Sequence, residues 1–472
     1  MAKNNGSLGI NIMRVLTANF WVTTIGFISS FVFPKILSID DYALYHTYTL
    51  YLTYVNILHL GFPSGMVINY AGKDYDQIDK SQYKAEVILV GSVLSFFAIV
   101  AFVLSIVLRN QMLAFVALAI LPHDLIGSYK ALLQAWGRFK EFSLISTILS
   151  TAIPVVALLY YVISGILPGN TYIILPGNTY IIINLVVNWL IALFIINEIS
   201  KKIKGIKMNS VLTAENWATE KTGIMLVLGN YIHTLFTSSD KQFVRWFFGN
   251  SEFAFYSFGM SMQAIMTVFI TSVAQPLFPA MAQGKFKDKD YSNLKELLIV
   301  FGSFSGCAYF ATSIIVNNFI TKYIDSLNVV GIYFAVFPTM AVVSCLYINL
   351  YKIKNMMRLY LKTIIGILCV SIVTNALAVK LYPNYMGVAI ATVITYYVWF
   401  FLGFKQFKFI KLTMKDILYL GIYTTGFFII TRNLNDFIGL LVYFVFIILT
   451  AMLFYRERVK QAAIMVTKRK VS

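Results

Sequence analysis

The chain has 472 residues, 59% of them hydrophobic and only 12% charged, a balance that excludes a soluble globular protein and leaves an integral membrane protein whose solvent is mostly lipid. Its formal net charge of +18 follows membrane topology rather than nucleic-acid binding, because the basic residues cluster on one side of the bilayer, as the chain order shows. Cys307, Cys345 and Cys369 each lie within an apolar segment and read as packing residues, with no disulfide framework, metal site or cofactor implied.

Taken in order, apolar segments fall at 15–37, 43–70, 85–108, 111–134, 141–164, 179–198, 222–248, 253–283, 296–321, 327–351, 359–381, 386–405, 416–431 and 436–455. A bilayer crossing needs about 20 apolar residues, so the fold expected is an all-α polytopic membrane protein of about 14 transmembrane helices. The first segment is long and has no cleavage-site pattern, so it is expected to stay as an anchor. With the N-terminus inside, only Lys35, Arg109, Lys241, Arg245, Lys322, Lys380 and Arg432 of the 38 Lys and Arg fall on the outer side. Cytoplasmic loops are the basic ones, so both termini are expected to be cytoplasmic.

Segment 4 holds Leu121-Pro122-His123-Asp124, with Lys130 at its inner end. A carboxylate beside a proline-loosened turn and a histidine suits ion coupling, whereas an Asp bonded to a neighbouring helix would be packing glue. Both readings stay open. The connection between segments 5 and 6 carries ILPGNTYI twice, at 166–173 and 174–181, an uncharged Pro-Gly-Asn repeat expected in an outer loop. The basic stretch 201–221 is expected to join two related halves on the inner side and suits contact with anionic headgroups.

Segment 7 is the most polar. Asn230, His233, Thr234, Thr237, Lys241 and Arg245 recur at helical spacing, and Asp240 stands beside the last cations. Snorkelling to headgroups would account for Lys241 and Arg245 alone. It does not account for the four neutral polar residues on the same face, which fit a wet lining. The stretch echoes an earlier one at a spacing of 211 residues: Glu252-Phe253-Ala254-Phe255-Tyr256 matches Asp41-Tyr42-Ala43-Leu44-Tyr45, and Asn230 and Thr234 fall on Asn19 and Thr23. Duplicated halves are a habit of transporter folds. No P-loop occurs, and no outer connection is long enough for the catalytic domain that a polytopic polysaccharide polymerase or glycosyltransferase would need. The chain reads as a transporter rather than an enzyme, with no catalytic residues assigned.

Residues 19–73, with FPKILSIDDYALYHTYTL and LGFPSGMVINYAGK, together with SSDKQFVRWFFGNSEFAFYSFGMSM, resemble the polysaccharide-repeat-unit (O-antigen or capsule) flippases of the multidrug/oligosaccharidyl-lipid/polysaccharide exporter superfamily. Asp40-Asp41-Tyr42-Ala43 stands where relatives often carry a glycine before the tyrosine. The resemblance implies two six-helix lobes around a central cavity plus two C-terminal helices. That gives an N-lobe at 1–200, a cytoplasmic linker at 201–221, a C-lobe at 222–410, and helices 13 and 14 with a basic tail at 411–472. It implies movement of an undecaprenyl-diphosphate-linked oligosaccharide outward across the bacterial inner membrane by alternating access, alongside a polymerase and glycosyltransferases. The diphosphate would be held by Lys35, Lys241 and Arg245, with Arg14 and Lys130 as further candidates. The polar stripe would be Asn19, Thr23, Asn230, His233, Thr234 and Thr237, and ion coupling would fall to Asp124, His123 and Asp240. A peptidoglycan-precursor flippase and a cation-coupled drug exporter of the same superfamily are the nearest alternatives.

Overall fold

The computed structural model describes residues 5–73, 75–166, 175–207, 214–284 and 286–468. Every apolar segment is helical, and there is no strand among the described residues. Among the described residues, ten helical runs are long and apolar enough to cross a membrane, against the 14 segments expected. The two helices that carry the polar stripes, near residues 19–23 and 230–237, are not among those ten. The described chain packs as two compact units, Met1–Ser238 and Ser239–Ser472, so the division by packing falls inside a helix rather than in the basic stretch 201–221. Residues 208–213 of that stretch and the tail beyond 468 lie outside the described residues.

The first unit contains α1 (Asn5–Ile36), α2 (Ile39–Val55), α3 (Phe62–Tyr70), α4 (Lys80–Val107), α5 (Gln111–Ala135), α6 (Phe139–Ile166), α7 (Gly177–Ile203) and most of α8 (Ala214–Phe247). Side-chain acceptors start several of these helices by satisfying orphan amides: Ser38 Oγ takes Asp41 N at 3.0 Å, Asp79 takes Ser81 N at 2.8 Å, and Asn110 takes Leu113 N at 3.0 Å. The core between them includes Tyr83, Leu94, Ile120, Leu133, Ile181 and Ile195.

Two expectations need correction here. The apolar run 43–70 is not one helix: it breaks after Val55 and restarts at Phe62, with Pro63 opening α3 rather than kinking a continuous span. Gly61 makes the turn at φ 89°, and a Cβ there would stand 2.6 Å from Ile224 Cα of α8, so both the dihedral and the close approach require glycine. The second copy of ILPGNTYI is likewise only partly loop, since the helix starts two residues earlier than expected. Its Gly177 opens α7, donates its amide to Asp41 Oδ1 at 2.7 Å, and leaves no room for a Cβ against Asp41 O. Tyr180 from the same copy packs its ring 4.5 Å from those of Phe33 and Tyr45. Residues 167–173 of the first copy lie outside the described residues.

The second unit takes the end of α8 and then α9 (Asn250–Ala282), α10 (Asp288–Ser303), α11 (Ser305–Phe319), α12 (Ser326–Val342), α13 (Ile348–Ile353), α14 (Met357–Leu381), α15 (Tyr385–Gln406), α16 (Met414–Asn433) and α17 (Asp436–Lys468). The segment expected at 296–321 is divided at Phe304 into α10 and α11. A π-helical turn at Val343–Tyr347 joins α12 to α13. α12 is the central helix, buried along nearly its whole length. At one end of the unit, Lys295 and Asp416 form a fully buried ion pair at 2.5 Å. Asp416 also accepts from Thr413 N and Oγ1 and from Tyr455 Oη, which ties α16 and α17 to α10.

Candidate functional site

The helix boundaries repeat with the sequence. α1 ends at Ile36 and α8 at Phe247, and α2 begins at Ile39 and α9 at Asn250, so the spacing of 211 residues that aligned the motifs also aligns both helix ends and both turns. Local bonding repeats as well. Thr23 Oγ1 donates to Asn19 O at 2.8 Å, and Thr234 Oγ1 donates to Asn230 O at 3.0 Å. Thr237 Oγ1 bonds back to His233 O at 3.1 Å. These hydroxyls satisfy themselves on their own helix, which lowers the cost of a polar stripe at membrane depth.

The charged end of α8 splits by face. Asp240 turns into the second unit, buried at 3% exposure. Its Oδ2 accepts from Tyr333 Oη at 2.6 Å, Tyr256 Oη at 3.0 Å and Thr392 Oγ1 at 3.1 Å, and its Oδ1 accepts from Lys241 N at 2.7 Å. Four donors from α8, α9, α12 and α15 thus converge on one carboxylate, which offsets much of its desolvation and pins four helices to one point. Nearby on α14, Asn375 donates to Ser371 Oγ at 3.3 Å while its own amide oxygen has no partner, and Ser371 Oγ lies 3.0 Å from Ser239 Oγ.

Lys241 and Arg245 take the other side. Lys241 Nζ and Arg245 Cζ stand 5.6 and 5.5 Å from the centroid of the Phe253 ring, and Arg245 Nη1 donates to Asn250 Oδ1 at 3.2 Å. Both side chains are half-buried. A guanidinium and an ammonium held against one ring are pre-positioned cations, able to donate to phosphate oxygens by a fork and a point charge.

Of the other residues read from the sequence, Asn230 and Thr237 are exposed, and His233 and Thr234 are half-buried. Lys35, near the C-terminal end of α1, and Arg14, within its N-terminal half, are both exposed and about 30 Å apart by helical rise, so one diphosphate does not span both. Lys130 Nζ lies 5.4 Å from the Phe142 ring of α6. Asp124 is buried at 2% exposure and His123 is half-buried. No cluster of three His, Cys, Asp or Glu that could hold a metal occurs among the described residues. Sequence reasoning missed Tyr333 and Thr392, which reach Asp240 from 93 and 152 residues away. It took Tyr256 only as a mark of the duplication. An aromatic hydroxyl in an otherwise apolar span was the available signal, but 30 tyrosines in the chain diluted it.

Fold and site together define a polytopic, all-helical membrane protein in which an internally repeated hairpin, α1–α2 and α8–α9, presents polar and cationic side chains. No family model and no curated protein matches the sequence. Among solved structures, the inward-closed lipid II flippase MurJ superposes with a TM-score of 0.70 at 14% identity, covering 94% of this chain and 99% of that one. At that identity the likeness is one of fold. An outward-facing multidrug-resistance transporter of the MATE family, in the MOP superfamily, stands further off, with a TM-score of 0.47 at 12% identity over 84% of this chain and 94% of that one.

Proposed function

We propose that this protein is a flippase for a lipid-linked glycan, moving an undecaprenyl-diphosphate-linked oligosaccharide repeat unit from the cytoplasmic to the outer leaflet of a bacterial cell membrane by alternating access, without catalysing a covalent step. The observation that carries the reading is the paired cation at the end of α8, Lys241 and Arg245 braced on Phe253, in a chain 94% of which follows the fold of a solved lipid II flippase. A diphosphate carries the charge that such a pair attracts, and in a site shielded from bulk water the attraction is less screened than at the surface. The self-bonded threonines of α8 supply a polar path for sugars. The exposed apolar sides of the helices leave a prenyl tail free to stay in lipid. Polymerase and glycosyltransferases would be the functional neighbours.

A second reading, a peptidoglycan-precursor flippase, is favoured by the fold likeness to a protein that flips lipid II. The two share a diphosphate and a prenyl chain and differ in the sugar. Reconstitution of the full chain in vesicles holding, in separate preparations, an undecaprenyl-diphosphate oligosaccharide and lipid II distinguishes them. The first reading predicts faster outer-leaflet exposure of the oligosaccharide lipid, and faster exposure of lipid II moves the assignment to the second. Protein-independent exposure of both would overturn the flippase reading altogether.

A further inference from the structure

Asp124 sits in mid-α5 and exposes 2% of its surface, and neither of its carboxylate oxygens has a hydrogen-bond partner among the described residues. It lies on α5, the helix that supplies Ile120, Ile126, Leu132 and Leu133 to the apolar core of the first unit. Two residues earlier, Pro122 lacks the amide that would bond Leu118 O. That carbonyl is taken instead by Trp189 Nε1 of α7 at 2.9 Å, so the proline turn offers Asp124 no vacant backbone oxygen to share a cation with.

Helices α2, α3, α4, α6 and α7 pack against α5. Their charged groups are Asp40, Asp41 and His46 of α2, Lys80, Lys84 and Glu86 of α4, Lys140 and Glu141 of α6, and Glu198, Lys201 and Lys202 of α7, and none of them bonds Asp124. Asp41 of α2 bonds Ser38 and Gly177 N, and His46 packs its ring on Tyr42 and Tyr45. Tyr48 donates to Asn184 and Tyr70 of α3 to Glu86 of α4, which also accepts from Gln82. Lys84 donates to Ile206 O. Glu141 of α6 pairs with Arg138, and Glu198 of α7 with Lys201. Lys202 Nζ lies 5.5 to 5.9 Å from the rings of Trp136, Tyr75 and Tyr129. On α5 itself Lys130 is at Phe142, and His123 projects about 100° around the helix from Asp124. His59, between α2 and α3, accepts from Gly61 N.

We infer that Asp124 is a proton-binding site within the first unit, holding a proton in the packing seen here and releasing it to water when α5 opens at the Pro122 turn. The step is a protonation equilibrium: the O–H bond of the acid breaks, its electron pair stays on the carboxylate, and the proton passes to water. A carboxylate in this core would carry an uncompensated charge, whereas the neutral acid leaves only polar atoms unpaired. A metal cation would need several oxygen ligands, and the one backbone carbonyl freed beside Asp124 is already bonded. Coupling that proton to glycan movement rests on the flippase reading; the proton site itself does not.

The test uses the full chain in lipid nanodiscs without substrate. Infrared difference spectra between wild type and Asp124→Asn are expected to show a protonated-carboxyl C=O band in the wild type that is missing from the variant and returns, shifted, in Asp124→Glu. Absence of that band, in wild type across the pH range in which the protein stays folded, overturns the proposal, as does a band that Asp124→Asn leaves in place. In vesicles with an imposed pH gradient, one proton per cycle biases the distribution of the glycan lipid about tenfold per pH unit for wild type. Asp124→Asn is expected to flip down the lipid gradient with no response to pH. An unaltered pH response in Asp124→Asn removes this residue from coupling. Failure of the wild type to flip any diphosphate-linked glycan, with the infrared band intact, instead sinks the flippase reading.

Discussion

In the α1–α2 hairpin the residue 211 places before Asp240 is Ser29, and those matching Lys241, Arg245 and Phe253 are Ser30, Pro34 and Tyr42. The helix ends coincide and the threonine back-bonds coincide, yet at these matched positions the carboxylate and both cations occur only in α8–α9, with Lys35 one place beyond Pro34. Ser30 Oγ merely donates to Gly26 O at 2.8 Å. The two hairpins thus share backbone geometry, set by apolar burial and helix starts, and differ in the polar chemistry laid on it. The second carries a converging donor set and a cation pair, while the unpartnered carboxylate of the first unit sits on a different helix, α5.

The comparison breaks most visibly at Asp240. Asp240→Leu removes the acceptor shared by Tyr256, Tyr333 and Thr392, leaving the two tyrosine hydroxyls only each other and Thr392 only Val388 O, and is expected to cost about 3 kcal/mol of stability, whereas Ser29→Ala costs less than about 1 kcal/mol. Thermal unfolding in detergent would show this as a large fall in Tm for the first and almost none for the second. Equal losses would mean that the Asp240 cluster does not anchor its helices. Next comes Gly177→Ala, where the new methyl meets Asp41 O at 2.8 Å. A cost of about 2 kcal/mol is expected from displaced α2–α7 packing, read in the same melts. A silent substitution would show that the second octapeptide copy is not seated on Asp41.

Arg245→Ala and Lys241→Ala separate stability from function. Each loses one cation–π contact, about 0.5–1 kcal/mol, so folding should survive while glycan export falls by more than tenfold. Export at the wild-type level would move the substrate cations elsewhere. The smallest effect is expected for the matched pair Thr23→Val and Thr234→Val. Each removes a bond to its own helix, and each should change stability by about 0.5 kcal/mol or less. A large and unequal response would show that the two stripes are not equivalent.

Much of the fold was legible because helices at membrane depth are forced by unsatisfied backbone groups, so apolar segment length was enough to place them. The breaks were less so. Gly61 and Phe304 interrupt runs that stay apolar throughout, and only packing against Ile224 reveals why a glycine turn stands at 61. The octapeptide repeat misled because Pro-Gly-Asn reads as a turn, while its glycine in fact serves as a close-approach helix start against a partner more than a hundred residues away. At the site, the stripe of α8 was readable from periodicity alone. Which way Asp240 turned was not, since Tyr333 and Thr392 belong to distant helices and carry no local signal.

The claim on which the account stands is that cations at the end of α8 hold a lipid-linked diphosphate during its passage. The most direct measurement is the rate at which an undecaprenyl-diphosphate oligosaccharide becomes accessible in the opposite leaflet of vesicles carrying wild-type protein or the Lys241→Ala, Arg245→Ala double variant, at matched protein levels. The account predicts rapid protein-dependent exposure by the wild type and a fall to the protein-free rate in the double variant. Equal rates for the two proteins would contradict it.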